Sequence, residues 1–116
     1  MNTVNALDPS ARLIKRKNEI AMTLRHVEFE QKDIEAKAAS MDRDARANRL
    51  DLLRYLTDWY SREITQVEQA LKRIDRNDYG TCVACHGVIA AERLEISPEA
   101  ELCAACEAFQ QHLSAG

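Results

Sequence analysis

Two closely spaced pairs of cysteines lie in the C-terminal third of the chain. They are Cys82 with Cys85 and Cys103 with Cys106, and they are the only cysteines in the 116 residues. Two residues separate the cysteines of each pair, so one tight turn of backbone can direct both sulfurs at the same ion. Two such pairs, separated by residues 86–102, are typical of a structural zinc site with four thiolate ligands. The spacing therefore predicts one bound Zn²⁺ and a small fold built around it.

Two disulfides are the alternative use of four cysteines. Disulfides persist in secreted proteins and are rare in the cytosol. The sequence shows no signal peptide and no apolar run of about eighteen residues that would span a membrane. We therefore expect a cytoplasmic protein with zinc-bound cysteines. His86, which follows Cys85, is an alternative zinc ligand but a weaker candidate than the four cysteines.

Charge is distributed unevenly along the chain. Residues 1–76 hold fifteen of the sixteen Lys and Arg against thirteen acidic residues, a balance of +2, whereas residues 77–116 hold one Arg against six acidic residues, a balance of −5. A zinc finger that docks on DNA or RNA neutralises phosphates with clustered Lys and Arg. The acidic segment argues against direct nucleic-acid binding, and a DNA-binding finger remains the weaker alternative.

The first 76 residues have the composition and the periodicity of long helices. The chain contains three Gly and two Pro, and Asp8-Pro9-Ser10 is a typical helix start. Apolar positions then recur at alternating steps of four and three, as in the core of a coiled coil. This first seam consists of Leu13, Lys17, Ile20, Leu24, Val27, Gln31, Ile34 and Ala38. It predicts a first helix over about 9–38.

A second seam has the same spacing and predicts a second helix over about 46–76. It consists of Leu50, Leu53, Thr57, Tyr60, Ile64, Val67, Leu71 and Ile74. The two seams are out of phase, so the pattern is interrupted at about 39–46. An antiparallel hairpin lets the two seams face each other, and one continuous helix is the alternative. Ser40 or Asp42 can cap the returning helix, and Asp42 or Asp44 suits its first turn.

The second helix also carries an apolar stripe outside its seam, formed by Leu52, Leu56 and Trp59. We expect this stripe to pack against the N-terminal residues or the zinc-binding segment, and a surface for a partner protein is the alternative. After Ile74 the helix should end, and Gly80 suits a backbone with positive φ before the first cysteine.

Residues 77–116 hold too few apolar side chains for a self-sufficient core, so zinc should supply most of their folding free energy. Between the cysteine pairs, short strands or a small apolar cluster are expected. The candidate residues are Val88, Ile89, Leu94 and Ile96. A last helix is expected from about Cys103 to Leu113.

The sequence around the cysteines resembles a known family. The segments are Asp78-Tyr79-Gly80-Thr81-Cys82-Val83-Ala84-Cys85, Arg93-Leu94-Glu95, Pro98 and Leu102-Cys103-Ala104-Ala105-Cys106, and they are similar to the C4 zinc finger of the DksA/TraR family. The resemblance covers residues 75–113. It implies an antiparallel coiled coil joined to a zinc finger, and a bacterial protein that inserts the coiled-coil tip into the secondary channel of RNA polymerase. Such proteins regulate transcription without touching promoter DNA.

The resemblance also implies functional residues at the tip. Counted back from the first cysteine, the family's acidic tip motif falls on residues 39–44, where Asp42 matches its second aspartate. Ala39 stands at the first acidic position, and Asp44 stands at the motif's alanine. Asp42 and Asp44 are therefore the candidate tip carboxylates, and ordinary acids of a first helical turn are the alternative reading. Basic positions that some members use to bind ppGpp correspond to Gln66 and Glu107, so the sequence does not favour this ligand.

The sequence thus predicts a mainly α protein with a coiled-coil hairpin in residues 1–76 and a C4 zinc finger with a C-terminal helix in residues 77–116. We expect a monomeric transcription regulator that binds RNA polymerase and not an enzyme. His26, His86 and His112 are scattered, and a closed four-thiolate site has no position for a reactive water. The alternative functions are a protein-interaction module and coiled-coil self-association.

Overall fold

The computed structural model describes residues 8–115 of the chain. The helices are α1 (Pro9–Ala36), a one-turn 3-10 helix (Ala38–Ser40), α2 (Arg43–Asp75), α3 (Ala91–Ile96) and α4 (Ala104–Ala115). In this part of the chain, β pairing is limited to an isolated antiparallel bridge between Thr81 and Val88. The protein is therefore mainly helical, as predicted. None of the helices in residues 8–115 has the length and hydrophobicity needed to cross a membrane.

The chain contacts divide these residues into two compact units. One unit is residues 16–65, and the other combines residues 8–15 with 66–115. The predicted domains 1–76 and 77–116 include residues 1–7 and 116, which lie outside the described residues. Their boundary stays a prediction.

Two ion pairs define the register of the hairpin within residues 16–65. Arg16 pairs with Glu63, with Nη2 and Oε2 3.5 Å apart, and Arg49 donates to the carboxylate of Glu30. The residue numbers of each pair add to the same total, 79, so α1 and α2 run antiparallel here. Both pairs lie immediately before seam positions on their helices, where coiled coils place interhelical ion pairs. The hairpin prediction is confirmed, and the continuous helix is excluded.

The predicted seams form the buried side of the two helices. Every seam position of α1 and α2 is buried or half-buried. In the hairpin, Val27, Ile34 and Leu53 form the buried centre, and the residues packed around them are Met41, Leu50, Leu56 and Tyr60. The apolar stripe is therefore divided. Leu56 joins this core, whereas Leu52 and Trp59 remain 46% and 47% exposed.

The expected packing of Leu52 and Trp59 against the N-terminal residues or the zinc-binding segment stays a prediction. Packing against the first seven residues concerns a segment outside the described residues. The partner surface stays a prediction as well.

The reversal between α1 and α2 is held by polar contacts rather than by Gly or Pro. Arg46 Nη1 donates to the carbonyl of Ala38 at 3.1 Å, and Ser40 Oγ donates to the carbonyl of Lys37 at 2.9 Å. Asp42 Oδ2 accepts the backbone N–H of Ala45 at 3.0 Å. This is the N-cap bond from the residue before the helix to its third residue. Asp42 is therefore the cap, and α2 begins at Arg43, earlier than the predicted residue 46.

Replacing Asp42 by alanine is expected to lower the free energy of unfolding by about 1 kcal/mol, because the N–H of Ala45 loses its partner. Asp42→Asn should lose only a few tenths of this, since asparagine caps helices about as well as aspartate. Urea unfolding of the zinc-loaded protein, followed by circular dichroism, measures both variants. Wild-type stability in Asp42→Ala would show that this side chain does not cap α2.

Candidate metal centre

The chain leaves α2 through a left-handed residue. Asn77 has φ 60°, its N–H donates to the carbonyl of Ile74 at 3.1 Å, and the next N–H, of Asp78, donates to Arg73 at 2.7 Å. These two bonds form a Schellman motif, in which Asn is an accepted substitute for Gly. Gly80 follows with φ 87°, as predicted, and turns the backbone towards the first cysteine.

The first cysteine pair lies on a tight loop closed by backbone hydrogen bonds. The N–H of Cys82 donates to Gly87 at 2.8 Å, and the N–H of His86 donates to Cys82 at 2.9 Å. The N–H of Gly87 points at Cys85 Sγ, 3.4 Å away. A Cβ at Gly87 would stand 3.3 Å from this sulfur, so the glycine leaves room for the ligand.

His86 occupies the left-handed position of this loop, with φ 62°. That conformation usually favours glycine, so His86 carries backbone strain here. The cluster of candidate metal ligands contains the four cysteines and not His86, whose side chain is exposed. The alternative ligand role of His86 is therefore not supported.

The second cysteine pair lies at the start of α4. Cys103 directly precedes the helix, and Cys106 lies in its first turn. The N–H of Cys106 points at Cys103 Sγ at 3.5 Å. The positive end of the helix dipole therefore faces this pair.

The four sulfurs converge at one point. All four Sγ atoms lie within 4.8 Å of one another, and Cys85 Sγ is 3.9 Å from Cys103 Sγ. A zinc ion with Zn–S bonds of about 2.3 Å requires sulfurs about 3.8 Å apart at the corners of a tetrahedron. None of the four cysteines forms a disulfide. The cluster therefore fits one structural zinc ion.

Without a cation, the pKa values of Cys82 and Cys106 are shifted in opposite directions. Hydrogen bonds from the backbone N–H groups of Cys103 and Cys85 lower the pKa of Cys82 to about 6. Hydrogen bonds with the sulfurs of Cys103, Cys85 and Cys82 raise the pKa of Cys106 to about 12. A divalent cation is what allows all four sulfurs to be thiolates together, so metal binding releases protons.

The apolar residues between the pairs form less structure than expected. Ile89 is buried, and the single bridge at Val88 stands in place of the expected strands. Leu94 and Ile96 belong to α3, and the side chains of Val88 and Ile96 are largely exposed. Such a small core leaves the metal as the main source of cohesion. The last helix runs from Ala104 to Ala115, whereas the prediction was from about Cys103 to Leu113.

Sequence reasoning placed the four ligands and missed the side chains that hold them. Arg73, Tyr79 and Arg93 donate hydrogen bonds to the segment that precedes Cys103. No metal-binding motif contains Arg73, so the sequence carried no signal for its role. The predicted tip residues Asp42 and Asp44 belong to the other compact unit, where both are exposed.

Comparison with known proteins agrees with this geometry. The family model described as "Prokaryotic dksA/traR C4-type zinc finger" matches residues 77–112. The RNA polymerase-binding transcription factors DksA of Escherichia coli (strain K12) and Salmonella typhimurium are each 27% identical over 95 residues, which is 82% of this chain and 61% of theirs. The DksA of Haemophilus influenzae is 37% identical over 46 residues, 40% of this chain and 32% of its own.

A solved structure shows the same fold. Transcription factor DksA2 from Pseudomonas aeruginosa superposes with a TM-score of 0.76 at 23% identity, over 93% of this chain and 84% of that one. The chain spans about three fifths of the length of the Escherichia coli relative. The matched finger and the four converging thiols lead to the same result: residues 77–112 are similar to the DksA/TraR C4-type zinc finger, and their four cysteines fit one structural zinc ion.

Proposed function

We propose that this chain is a cytoplasmic transcription regulator that binds RNA polymerase through the turn of its helical hairpin. The observation that carries the proposal is the capped, polar turn between α1 and α2, which presents two exposed carboxylates, Asp42 and Asp44. The similarity to RNA polymerase-binding DksA over 82% of this chain supports the same partner. The proposed target is the secondary channel of the polymerase.

The carboxylates of Asp42 and Asp44 differ in their contacts within the turn. Asp42 Oδ2 accepts the N–H of Ala45, and the other carboxylate oxygen is available to contact a partner. Asp44 lies in the first turn of α2, where the helix dipole stabilises its charge. A pair of carboxylates at the end of a hairpin changes the electrostatic potential around cationic groups of a partner. This is the physical role that we propose for the turn.

The proposal assigns no ppGpp to this chain. A cleft of about 250 Å³ contains both positions that the family resemblance connects with this ligand, Gln66 and Glu107. Glu99 and Glu101 also line the cleft, and its one cation, Arg93, already pairs with Glu107. Beyond this pair, the carboxylates of Glu99 and Glu101 leave the cleft with net negative charge, which repels phosphate groups.

The proposal likewise excludes promoter DNA and self-association as functions. Residues 77–116 carry one Arg against six acidic residues, which is unsuited to phosphate contacts. Both helical seams are buried within a single chain, so no second copy is needed to cover them. We therefore propose a monomer.

The test uses zinc-loaded protein, purified RNA polymerase and a transcription assay. Wild-type protein should bind the polymerase and change transcript yield. Asp42→Asn together with Asp44→Asn should reduce that change about tenfold, the equivalent of about 1.4 kcal/mol. Asparagine at position 42 keeps the helix cap, so the loss would come from charge.

Asp58→Asn is the matched control, because it neutralises another exposed carboxylate of α2. It should leave the effect on transcription unchanged. Absence of binding between intact, zinc-loaded protein and polymerase would reject the proposed function.

A further inference from the structure

The connection between α3 and α4 is irregular in conformation, yet all of its backbone carbonyls accept hydrogen bonds. Residues 97–103 lie outside the helices, and each of their carbonyls accepts a hydrogen bond. Three of these carbonyls accept from backbone N–H groups: Ser97 from Ala100 at 3.0 Å, Glu101 from Val83 at 2.9 Å, and Cys103 from Glu107 at 2.9 Å. The remaining four carbonyls accept hydrogen bonds from side chains. Such completeness is normal for a helix and needs dedicated partners in a loop.

Three side chains supply these partners. Tyr79 Oη donates to Pro98 at 2.9 Å, and Arg93 Nε donates to Leu102 at 3.0 Å. Arg73 Nη2 donates to both Glu99 at 3.4 Å and Ala100 at 3.3 Å. The segment that ends at the ligand Cys103 is thus held from the end of α2, from the residue before Gly80 and from α3.

Arg73 is the most deeply enclosed of the three donors. Its side chain is 6% exposed, although it lies on the last turn of α2. Burying a guanidinium is costly unless its N–H groups find acceptors. The carbonyls of Glu99 and Ala100 both accept from Nη2, whereas the buried Nε has no hydrogen-bond partner in the described structure. The neighbouring Tyr79 is also partly enclosed, and burial raises the pKa of its phenol despite the opposing charges of Arg12 and Arg73.

We propose that Arg73 is a positioning residue for the zinc site. Its guanidinium holds residues 99 and 100, and through them it determines where Cys103 and Cys106 stand relative to the first cysteine pair. Groups that orient metal ligands typically change metal affinity by about 10- to 100-fold. Ala100, the contacted residue nearest to Cys103, still lies three residues before it. We therefore expect a change in zinc affinity at the lower end of that range.

The experiment measures zinc affinity by competition with a colorimetric chelator, on the full chain. Arg73→Met should bind zinc about tenfold more weakly than wild type. Arg73→Lys should fall between the two, since an ammonium keeps the charge and loses the planar fork. Arg76→Met is the matched control, because this exposed arginine lies one turn from Arg73 in sequence and donates no hydrogen bond to residues 97–103 in the described structure. It should match wild type within about twofold.

A second readout separates positioning from simple stabilisation. With saturating Co²⁺ in place of zinc, the visible absorption bands report the geometry of the four sulfurs. Positioning predicts shifted bands for Arg73→Met at saturation. If Arg73 merely stabilises the fold, its replacement should lower the melting temperature, and the spectrum at saturating Co²⁺ should be the same as that of wild type. Wild-type zinc affinity or an unchanged saturated spectrum in Arg73→Met would overturn the proposal.

Tyr79→Phe keeps the inference testable if Arg73→Met does not fold. This variant removes only the hydroxyl that donates to Pro98 and preserves the ring. Because it loosens the same segment at one carbonyl, it should weaken zinc binding by about threefold, a modest part of the range for orienting groups. If both Tyr79→Phe and Arg73→Lys bound zinc as tightly as wild type, the proposed role of residues 97–103 in positioning the ligands would be contradicted.

Discussion

Removal of zinc is expected to unfold residues 77–113 and to leave the hairpin core of residues 16–65 formed. The finger buries few large side chains, chiefly Cys82 and Ile89, whereas the hairpin has its own buried centre at Val27, Ile34 and Leu53. Structural zinc contributes about 10–16 kcal/mol in zinc-finger peptides, which exceeds what so small a core supplies. Hydrogen exchange of the backbone amides, with and without a chelator, measures both regions in one experiment.

The amides of Cys82, Val83 and Ile89 should lose their protection when zinc is removed, because their hydrogen bonds lie within the metal-bound loops. Cys103→Ser should reproduce this loss in the presence of zinc. His86→Asn is the matched control, since asparagine tolerates the positive φ and His86 is not a ligand. Protection that persists around Cys82 without metal would contradict the prediction.

The same prediction has a definite pH dependence. Zinc requires thiolates, and in the unfolded, metal-free finger each cysteine has the ordinary thiol pKa of about 8.5. Bound zinc lowers this pKa, so the stability that the metal supplies is present at higher pH and is lost as pH falls and protons displace zinc. Zinc release should therefore increase on acidification, and the chelator titration repeated at several pH values measures it.

Leu53→Ala is expected to lower the free energy of unfolding of the zinc-loaded protein by about 2–5 kcal/mol. Leu53 is 1% exposed and lies against Val27 and Ile34, so its truncation leaves a cavity between α1 and α2. Urea unfolding followed by circular dichroism gives the value. The loss is large beside the marginal stability of a domain of this size.

Leu52→Ala provides the comparison from the adjacent residue. Its side chain is 46% exposed, so its truncation should cost about 0.5 kcal/mol or less. Equal losses in the two variants would show that the stripe with Leu52 and Trp59 is covered by another part of the protein. The pair of variants therefore tests the core and the exposed stripe together.

The sequence predicted most of the helical architecture because its evidence was periodic. Heptad spacing is a property of local backbone geometry, so the seams at Leu13–Ala38 and Leu50–Ile74 identified the buried side of both helices. The phase change between them identified the reversal. The periodicity did not give the position of the turn. The contact of Arg46 with Ala38 has no signal in the sequence, and the choice between Ser40 and Asp42 as the cap came from the structure.

By itself, the sequence identified the four candidate zinc ligands, because two CxxC pairs bring four sulfurs together through short, local turns. Only the tertiary structure decided that Asp42 caps α2, that Leu56 is buried while Leu52 is exposed, and that Arg73 supports the segment before Cys103. These outcomes depend on which residues meet across the fold. Arg73 and Ala100 are 27 positions apart, and spacing along the chain carries no record of such a contact.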